Sequence, residues 1–311
     1  MQAAGSTTTA DATNTVMSLE VTETTVRSIL TRTGGYLTGI ASHSLQPYRG
    51  CSYGNALCGV GCYVQHNGHL TRGRRWGSFL EVRTNAAAAY RGSYERERNW
   101  ARRRQSPDPN VAGSGPFTIF FSSATDPFVP QERRWRISRS LLESMIELPP
   151  DGLIVQTHSH LVLDERKRLL ELSNRCNLRV HVSIESDRDR LPGLPPPASS
   201  VEQRFEACRQ LKATGVRTIV TVAPLLPIAD PPGFFARIAE VADAVLLDHY
   251  IGGDGSPTGH RTLRTALPDA MQAIEPRSLQ ISYRDELAAI ARRLLPGRVG
   301  IGRDGFAGRF A

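Results

Sequence analysis

The sequence predicts an α/β fold, a mostly parallel sheet of six strands curled into an open or partial barrel, with a cysteine-bearing loop ahead of it. Three observations carry this. Short β-branched or aromatic runs alternate with amphipathic stretches of about ten to fifteen residues. The apolar runs are nearly continuous, as strands covered on both faces require. The intervening stretches are long enough for the right-handed strand–helix–strand crossovers that build a parallel sheet. A flat doubly wound sheet has the same periodicity and stays open as the alternative.

In chain order, residues 1–40 read as a polar N-terminal extension, 41–255 as the barrel and 256–311 as a C-terminal extension packing on it. The strand candidates are 79–84 (FLEVRT), 117–122 (FTIFFS), 152–157 (GLIVQT), 178–184 (LRVHVSI), 217–223 (RTIVTVA) and 244–249 (AVLLDH). Helix candidates lie at 85–104, 130–147, 163–174, 200–213 and 233–242. The signals are clearest at 200–213. Ser199 or Ser200 caps its start, Gln203 completes a capping box, and Gly215 ends it. Residues 104–116 and 191–200, rich in Pro, Gly and Ser, read as loops. Loops that follow the strands' C-terminal ends share one face, where such folds bind ligands.

No apolar run approaches the roughly 18–20 residues that span a bilayer, and the N-terminus lacks a secretory pattern. The expectation is a soluble, cytoplasmic chain with no membrane partner. The net charge of +8 comes mainly from arginine. Three clusters stand out: Arg72, Arg74 and Arg75; a run from Arg91 to Arg104; and Arg133, Arg134, Arg136 and Arg139. They fit either an anionic partner such as nucleic acid or solvated helix faces, and Glu95 and Glu97 interrupt the longest.

Three of the five cysteines, Cys51, Cys58 and Cys62, fall in one short glycine-rich segment. A secreted disulfide framework would spread them and pair them. Clustered thiolates point instead to metal. Three of them can hold three irons of a four-iron, four-sulfur cluster and leave the fourth iron open. A zinc site using the same cysteines with His66 or His69 is the rival, although its six-residue first gap is wide for structural zinc. Three free, buried thiols are the plain alternative. Cys176 and Cys208 fall in helical stretches and read as structural thiols.

The segment Gln46-Pro47-Tyr48-Arg49-Gly50-Cys51, ending in Cys62-Tyr63, resembles the radical S-adenosylmethionine enzymes, in their spore photoproduct lyase-like branch. The likeness extends over about 200 residues, through Val82-Arg83-Thr84-Asn85-Ala86, Thr125-Asp126-Pro127-Phe128-Val129-Pro130-Gln131-Glu132, Val180–Ile184 and Val222–Pro227. It implies a partial (β/α)6 TIM-like barrel with an N-terminal cluster-binding loop. It also implies a [4Fe-4S] cluster on Cys51, Cys58 and Cys62, with S-adenosyl-L-methionine on the open iron. One-electron reduction, supplied by an external donor of flavodoxin or ferredoxin type, would cleave this cofactor to a 5′-deoxyadenosyl radical.

Carried over by position, Tyr63 would lie against the adenine, or be a core aromatic. Ser183 and Glu185 would bond the ribose or amino group, or cap a loop. Ala223 and Pro224 would set backbone against adenine. Thr125 and Asp126 would touch cofactor or substrate, or form an Asp-Pro turn. His158, His160, Asp248, His249 and Tyr250 end the third and sixth strands and are candidates for substrate contact; the substrate itself is unidentified, with nucleic acid among the candidates. The chain departs from the branch in its wider cysteine gaps and in lacking the lysine expected within Val155–Ser159. Ser123 stands where the branch keeps a hydrogen-donating cysteine. An O–H bond is far stronger than S–H, so photoproduct reversal by that route is not expected.

Overall fold

The structure, a computed structural model, describes residues 18–103 and 115–311. Its strands in chain order begin with β1 (Glu20–Thr24), β2 (Leu30–Arg32), β3 (His43–Leu45), β4 (Tyr48–Gly50) and β5 (Phe79–Arg83). They continue with β6 (Thr118–Phe121), β7 (Gly152–Thr157), β8 (Asn177–Ser183), β9 (Thr218–Val222), β10 (Ala244–Leu247) and β11 (Val299–Ile301). Eight form one sheet in the order β11-β10-β9-β8-β7-β6-β3-β2, and every pair in it is parallel except β2 with β3. This is the expected partial barrel, and its parallel run β3, β6, β7, β8, β9, β10 has six members, with β11 added at the edge.

The first member differs from expectation. The 79–84 run, β5, leaves the barrel and joins a separate three-stranded sheet, parallel to β1 and antiparallel to β4. The reason is its alternation: Leu80 and Val82 are fully buried, whereas Glu81 and Arg83 are only partly so. A strand with charges on one face cannot sit between two apolar layers. The barrel starts instead at β3, too short and polar to show a strand pattern.

Side-chain alternation sorts the apolar residues into two layers. Phe120, Ile154, Ile219 and Leu246 point inward with Ile40, Ala41 and Phe306, while their neighbours Phe121, Val155, Val220 and Leu247 face the helices. The seam between β11 and β2 is filled by two short turns, Gly35–Leu37 and Gly302–Phe306. Tyr36 meets Phe306 edge-on with ring centroids 6.1 Å apart.

The helices follow the expected positions with local changes. Residues 130–147 split into Glu132–Trp135 and Ile137–Glu147, because Arg136 takes a left-handed conformation between them. Helix Val201–Ala213 starts on the expected capping box. The Gln203 N–H donates to Ser200 Oγ at 3.1 Å and the Ser200 N–H to Gln203 Oε1 at 2.9 Å. Such a cap contributes about 1 kcal/mol. Gly215, at φ +87°, turns the chain after it. Cys208 lies buried on this helix, but Cys176 lies in the turn before β8, not on a helix. Of the expected loops, 191–200 contains no helix or strand, and 104–114 lies outside the described residues. Among the described residues, no helix is long and apolar enough to cross a membrane.

Candidate active site

A cavity of about 560 Å³ opens at the C-terminal ends of the parallel strands. Strands β6 to β10 each deliver side chains to it at or just after their C-terminal ends. Ser122–Asp126 come after β6, Gln156 and His158 from the end of β7, Glu185 after β8, Ala223 and Pro224 after β9, and Asp248–Tyr250 after β10. Cys51, Cys58 and Cys62 line the cavity too, with Tyr53 and Tyr63.

The cysteine loop holds its shape by close backbone packing. A Cβ on Gly54 would lie 2.0 Å from Gly77 Cα, so neither glycine has room for a side chain. Tyr53 ties the loop to the barrel: its hydroxyl donates to the Phe128 carbonyl at 2.9 Å and lies 3.1 Å from Ser159 Oγ. Thr125 Oγ1 donates to the Gly50 carbonyl at 2.8 Å, just ahead of Cys51.

All three thiols are free. Burial pushes each thiol pKa up, Cys62 to about 11 and Cys51 and Cys58 well above the usual thiol range. Backbone donors oppose this at two of them. The Tyr53 N–H points at Cys51 Sγ from 3.4 Å, and the backbone N–H groups of Val64 and Gln65 lie near enough to Cys62 to lower its thiol pKa. Amides aimed at sulfur favour thiolate and are among the levers that tune iron–sulfur sites. Neither His66 nor His69 lines the cavity with the cysteines. Among the described residues, no three His, Cys, Asp or Glu side chains gather as ligands of a single ion. Zinc needs its ligands within about 2.3 Å of one point, whereas a four-iron cluster offers each thiolate its own iron. The donor set fits a cluster better than a lone ion.

A buried charge chain crosses the barrel face. His158 Nε2 lies 3.0 Å from Glu185 Oε1, and Arg204 Nη1 donates to Glu185 Oε2 at 2.6 Å and to the Ser183 carbonyl at 2.7 Å. Burial raises the Glu185 pKa, but the Arg204 charge and the His158 contact outweigh it and hold the carboxyl at about 2. Burial lowers His158; the hydrogen bond and charge of Glu185, with Asp126 behind, more than offset this and leave it raised. The imidazole is 29% exposed and faces the cavity.

The remaining sequence candidates divide. Asp126 lies on the wall, but its oxygens accept from the Thr157 hydroxyl and from the Phe128 and His158 N–H groups, so it buttresses the loop. Ser183 is buried beneath the wall, its hydroxyl accepting from Gln156 Nε2 at 3.0 Å; Gln156 reaches the cavity in its place. His160 is also off the wall, with Nδ1 2.9 Å from Ser199 Oγ. Ala223 and Pro224, joined by a cis peptide bond, line it, as do Asp248, His249 and Tyr250. His249 and Tyr250 bond to the carbonyls of Ser278 and Leu279.

Several wall residues went unnoticed in the sequence. Tyr36 donates to Asp248 Oδ2 at 2.7 Å, and burial pushes the Asp248 carboxyl up to about 6. Arg204 reaches the site from a helix, and Arg261 from the segment after β10. Ser122 sits at φ 72°, a strained value for a non-glycine, with its hydroxyl buried and unpaired among the protein atoms. Only the folded topology brings these together.

No protein-family model matches the sequence. Among curated proteins, the chain is similar to the uncharacterized protein ORF301 of Acidianus two-tailed virus, 31% identical over 114 residues, which is 35% of each chain. It is also similar to the uncharacterized protein MJ0683 of Methanocaldococcus jannaschii, 21% identical over 188 residues, or 60% of this chain and 61% of that one. It thus spans less than two thirds of either relative's length. Among solved structures, two of spore photoproduct lyase align with a TM-score of 0.57 at 16% identity. One holds AdoMet and dinucleoside spore photoproduct, the other the dinucleoside photoproduct, and the alignment covers 91% of this chain and 81% of theirs. A variant of the same lyase aligns at 0.54 and 15%. What is shared at that identity is architecture: this chain has the fold of spore photoproduct lyase.

Proposed function

We propose that this chain is a radical S-adenosylmethionine enzyme acting on a substrate not yet identified. One observation carries the reading: three free cysteine thiols, one of them receiving a backbone N–H, open onto a small-molecule-sized cavity at the C-terminal mouth of this barrel. Cys51, Cys58 and Cys62 would hold a [4Fe-4S] cluster. When bound, the cluster and S-adenosylmethionine would supply one-electron cleavage to a 5′-deoxyadenosyl radical, which abstracts hydrogen from substrate.

The chain's own residues do the positioning. His158, its pKa raised by the neighbouring Glu185 carboxylate, offers a ring N–H as a donor in the stretch where the branch carries a lysine. Gln156 offers its amide, and its Oε1 has no partner among the protein atoms. Tyr63, Ala223 and Pro224 supply a flat apolar edge for a purine, and Thr125 holds the Gly50 carbonyl that precedes Cys51. Glu185 and Asp126 act through His158. Ser183 acts only through Gln156. The buried walls keep water from a reactive intermediate.

Modification of nucleic acid is the second reading. It is supported by the +8 net charge, by Arg261 on the cavity wall and by the dinucleoside bound in the lyase of the same fold. The test of the first reading is anaerobic turnover with dithionite and S-adenosylmethionine. The expected product is 5′-deoxyadenosine, absent from Cys58→Ala; none from a protein that holds iron would refute the reading.

A further inference from the structure

The small sheet of β1, β5 and β4 is fixed to the cysteine loop and carries charges that the cavity does not use. Arg49 on β4 and Arg74 in the turn before β5 both bond the same carboxylate, Glu81 of β5. Arg83 donates to the Gln46 carbonyl at 2.8 Å, and Arg49 and Arg72 lie near enough to lower its pKa, after burial. Arg72 and Arg75 are exposed in the same turn. Two acids, Glu81 and Glu20, share this face with the five arginines. None of the five lines the cavity.

This face lies directly behind Cys51. The Arg74 guanidinium sits 3.7 Å from the centroid of the Phe79 ring, and the Phe79 carbonyl accepts from the Cys51 N–H at 3.1 Å. Arg49 is two residues from Cys51. The contacts from surface to sulfur are thus Arg74, Phe79, Cys51. Trp76 packs edge-on to Phe79, with centroids 6.3 Å apart, and reaches the cavity wall.

We infer that this arginine face is the docking surface for an acidic one-electron carrier protein. The inference rests on the radical reading above and names where its electron enters. A substrate must reach the cavity, but an electron donor need only approach the cysteines, and this face does so through two packed groups. Positive charge around that entry steers an acidic carrier, and a short-lived electron-transfer contact needs little buried area. Arg74, pinned to Glu81 and partly exposed, is set in place before the partner arrives, which lowers the ordering cost of docking. The electron passes one way, from reduced carrier to the cluster, and leaves the carrier oxidised by one electron.

The test uses the chain reconstituted anaerobically with iron and sulfide, a purified acidic flavodoxin as probe, and the double variant Arg72→Glu/Arg75→Glu. Neither residue is part of the ion pairs that hold the sheet, and circular dichroism checks folding. At about 0.05 M salt the variant is expected to bind oxidised flavodoxin at least about tenfold more weakly by calorimetry, and to be reduced by the hydroquinone more slowly by a similar factor. Both differences should shrink at high salt, and dithionite should reduce both proteins alike. Equal flavodoxin binding and equal reduction by both proteins would overturn the inference. So would loss of single-stranded oligonucleotide binding with flavodoxin binding intact, which would assign the face to nucleic acid. If neither protein takes up iron, the radical reading fails, and calorimetry still decides whether the face binds the carrier.

Discussion

His158 and Glu185, from the ends of adjacent strands β7 and β8, meet through Nε2 and Oε1 at 3.0 Å, with Arg204 on the far side of the carboxylate. Arg204 is almost wholly buried, so Glu185 is the one acid that bonds it among the described residues. The pair therefore does two jobs: it neutralises a cation inside the protein and orients an imidazole at the cavity wall.

Glu185→Gln should destabilise the fold by about 3 kcal/mol, because it leaves a buried guanidinium without its counter-charge. Urea denaturation at neutral pH measures it. The folded carboxyl sits at about 2, below its unfolded value, so its contribution is present above about pH 4.5 and fades as pH falls towards 2. A loss below about 1 kcal/mol would show that water or another group already compensates Arg204.

The imidazole behaves with the opposite sign. His158 titrates above its ordinary value in the fold, so its contribution is complete below about pH 6.5 and is lost as pH rises through the folded pKa. The melting-temperature gap between wild type and His158→Gln should be wide near pH 6 and narrower near pH 9. A gap that widens with pH would mean the ring is neutral in the fold.

Asp248→Asn should stabilise the chain in alkaline solution. Its folded pKa of about 6 lies above the unfolded value, so keeping it ionised costs stability increasingly as pH rises from about 4 to 6, and by a constant amount above that. Asparagine still accepts the Tyr36 hydroxyl. The expected gain is on the order of 2 kcal/mol near pH 8 and close to zero near pH 4, read by thermal melting. A loss at pH 8 would show that the carboxylate's charge is needed by its neighbours.

Ser123 lines the cavity and its hydroxyl accepts from Gln46 Nε2 at 2.8 Å. Among the described cysteines only Cys51, Cys58 and Cys62 reach that wall. Incubated anaerobically with the dinucleoside photoproduct, the wild type should cleave S-adenosylmethionine without restoring thymine. Repeated turnover to clean thymine would sink this and point to a phenol such as Tyr53 or Tyr250 as donor.

What the sequence made legible follows from the range over which each signal acts. The capping box at Ser200 and Gln203 and the apolar runs of β6 to β10 are local patterns, and they were readable. The 79–84 run is a strand as its pattern predicts, but it joins the small sheet, and Glu81 and Arg83 mark the half-exposed face that keeps it out of the barrel. Strands β3 and β11 have three residues each, too few for any period to register. The cysteine loop was legible because thiol spacing is a chemical signal in itself. Tyr36, Arg204 and Arg261 were not: Tyr36 meets Asp248 across 212 positions of chain, and an arginine on an amphipathic helix looks the same whether it faces water or Glu185. Ser183 and His160 were named for their position at strand ends, but one side chain sits under Gln156 and the other turns to Ser199.

The central claim is the cluster on Cys51, Cys58 and Cys62, and counting iron and acid-labile sulfide in anaerobically reconstituted protein tests it most directly. The wild type and Cys208→Ala, whose thiol is buried on a helix away from the cavity, should each hold about four of both per chain, with absorbance near 400 nm. Cys58→Ala should lose them. Stoichiometric zinc without iron in the wild type, or full iron retention in Cys58→Ala, would contradict the account.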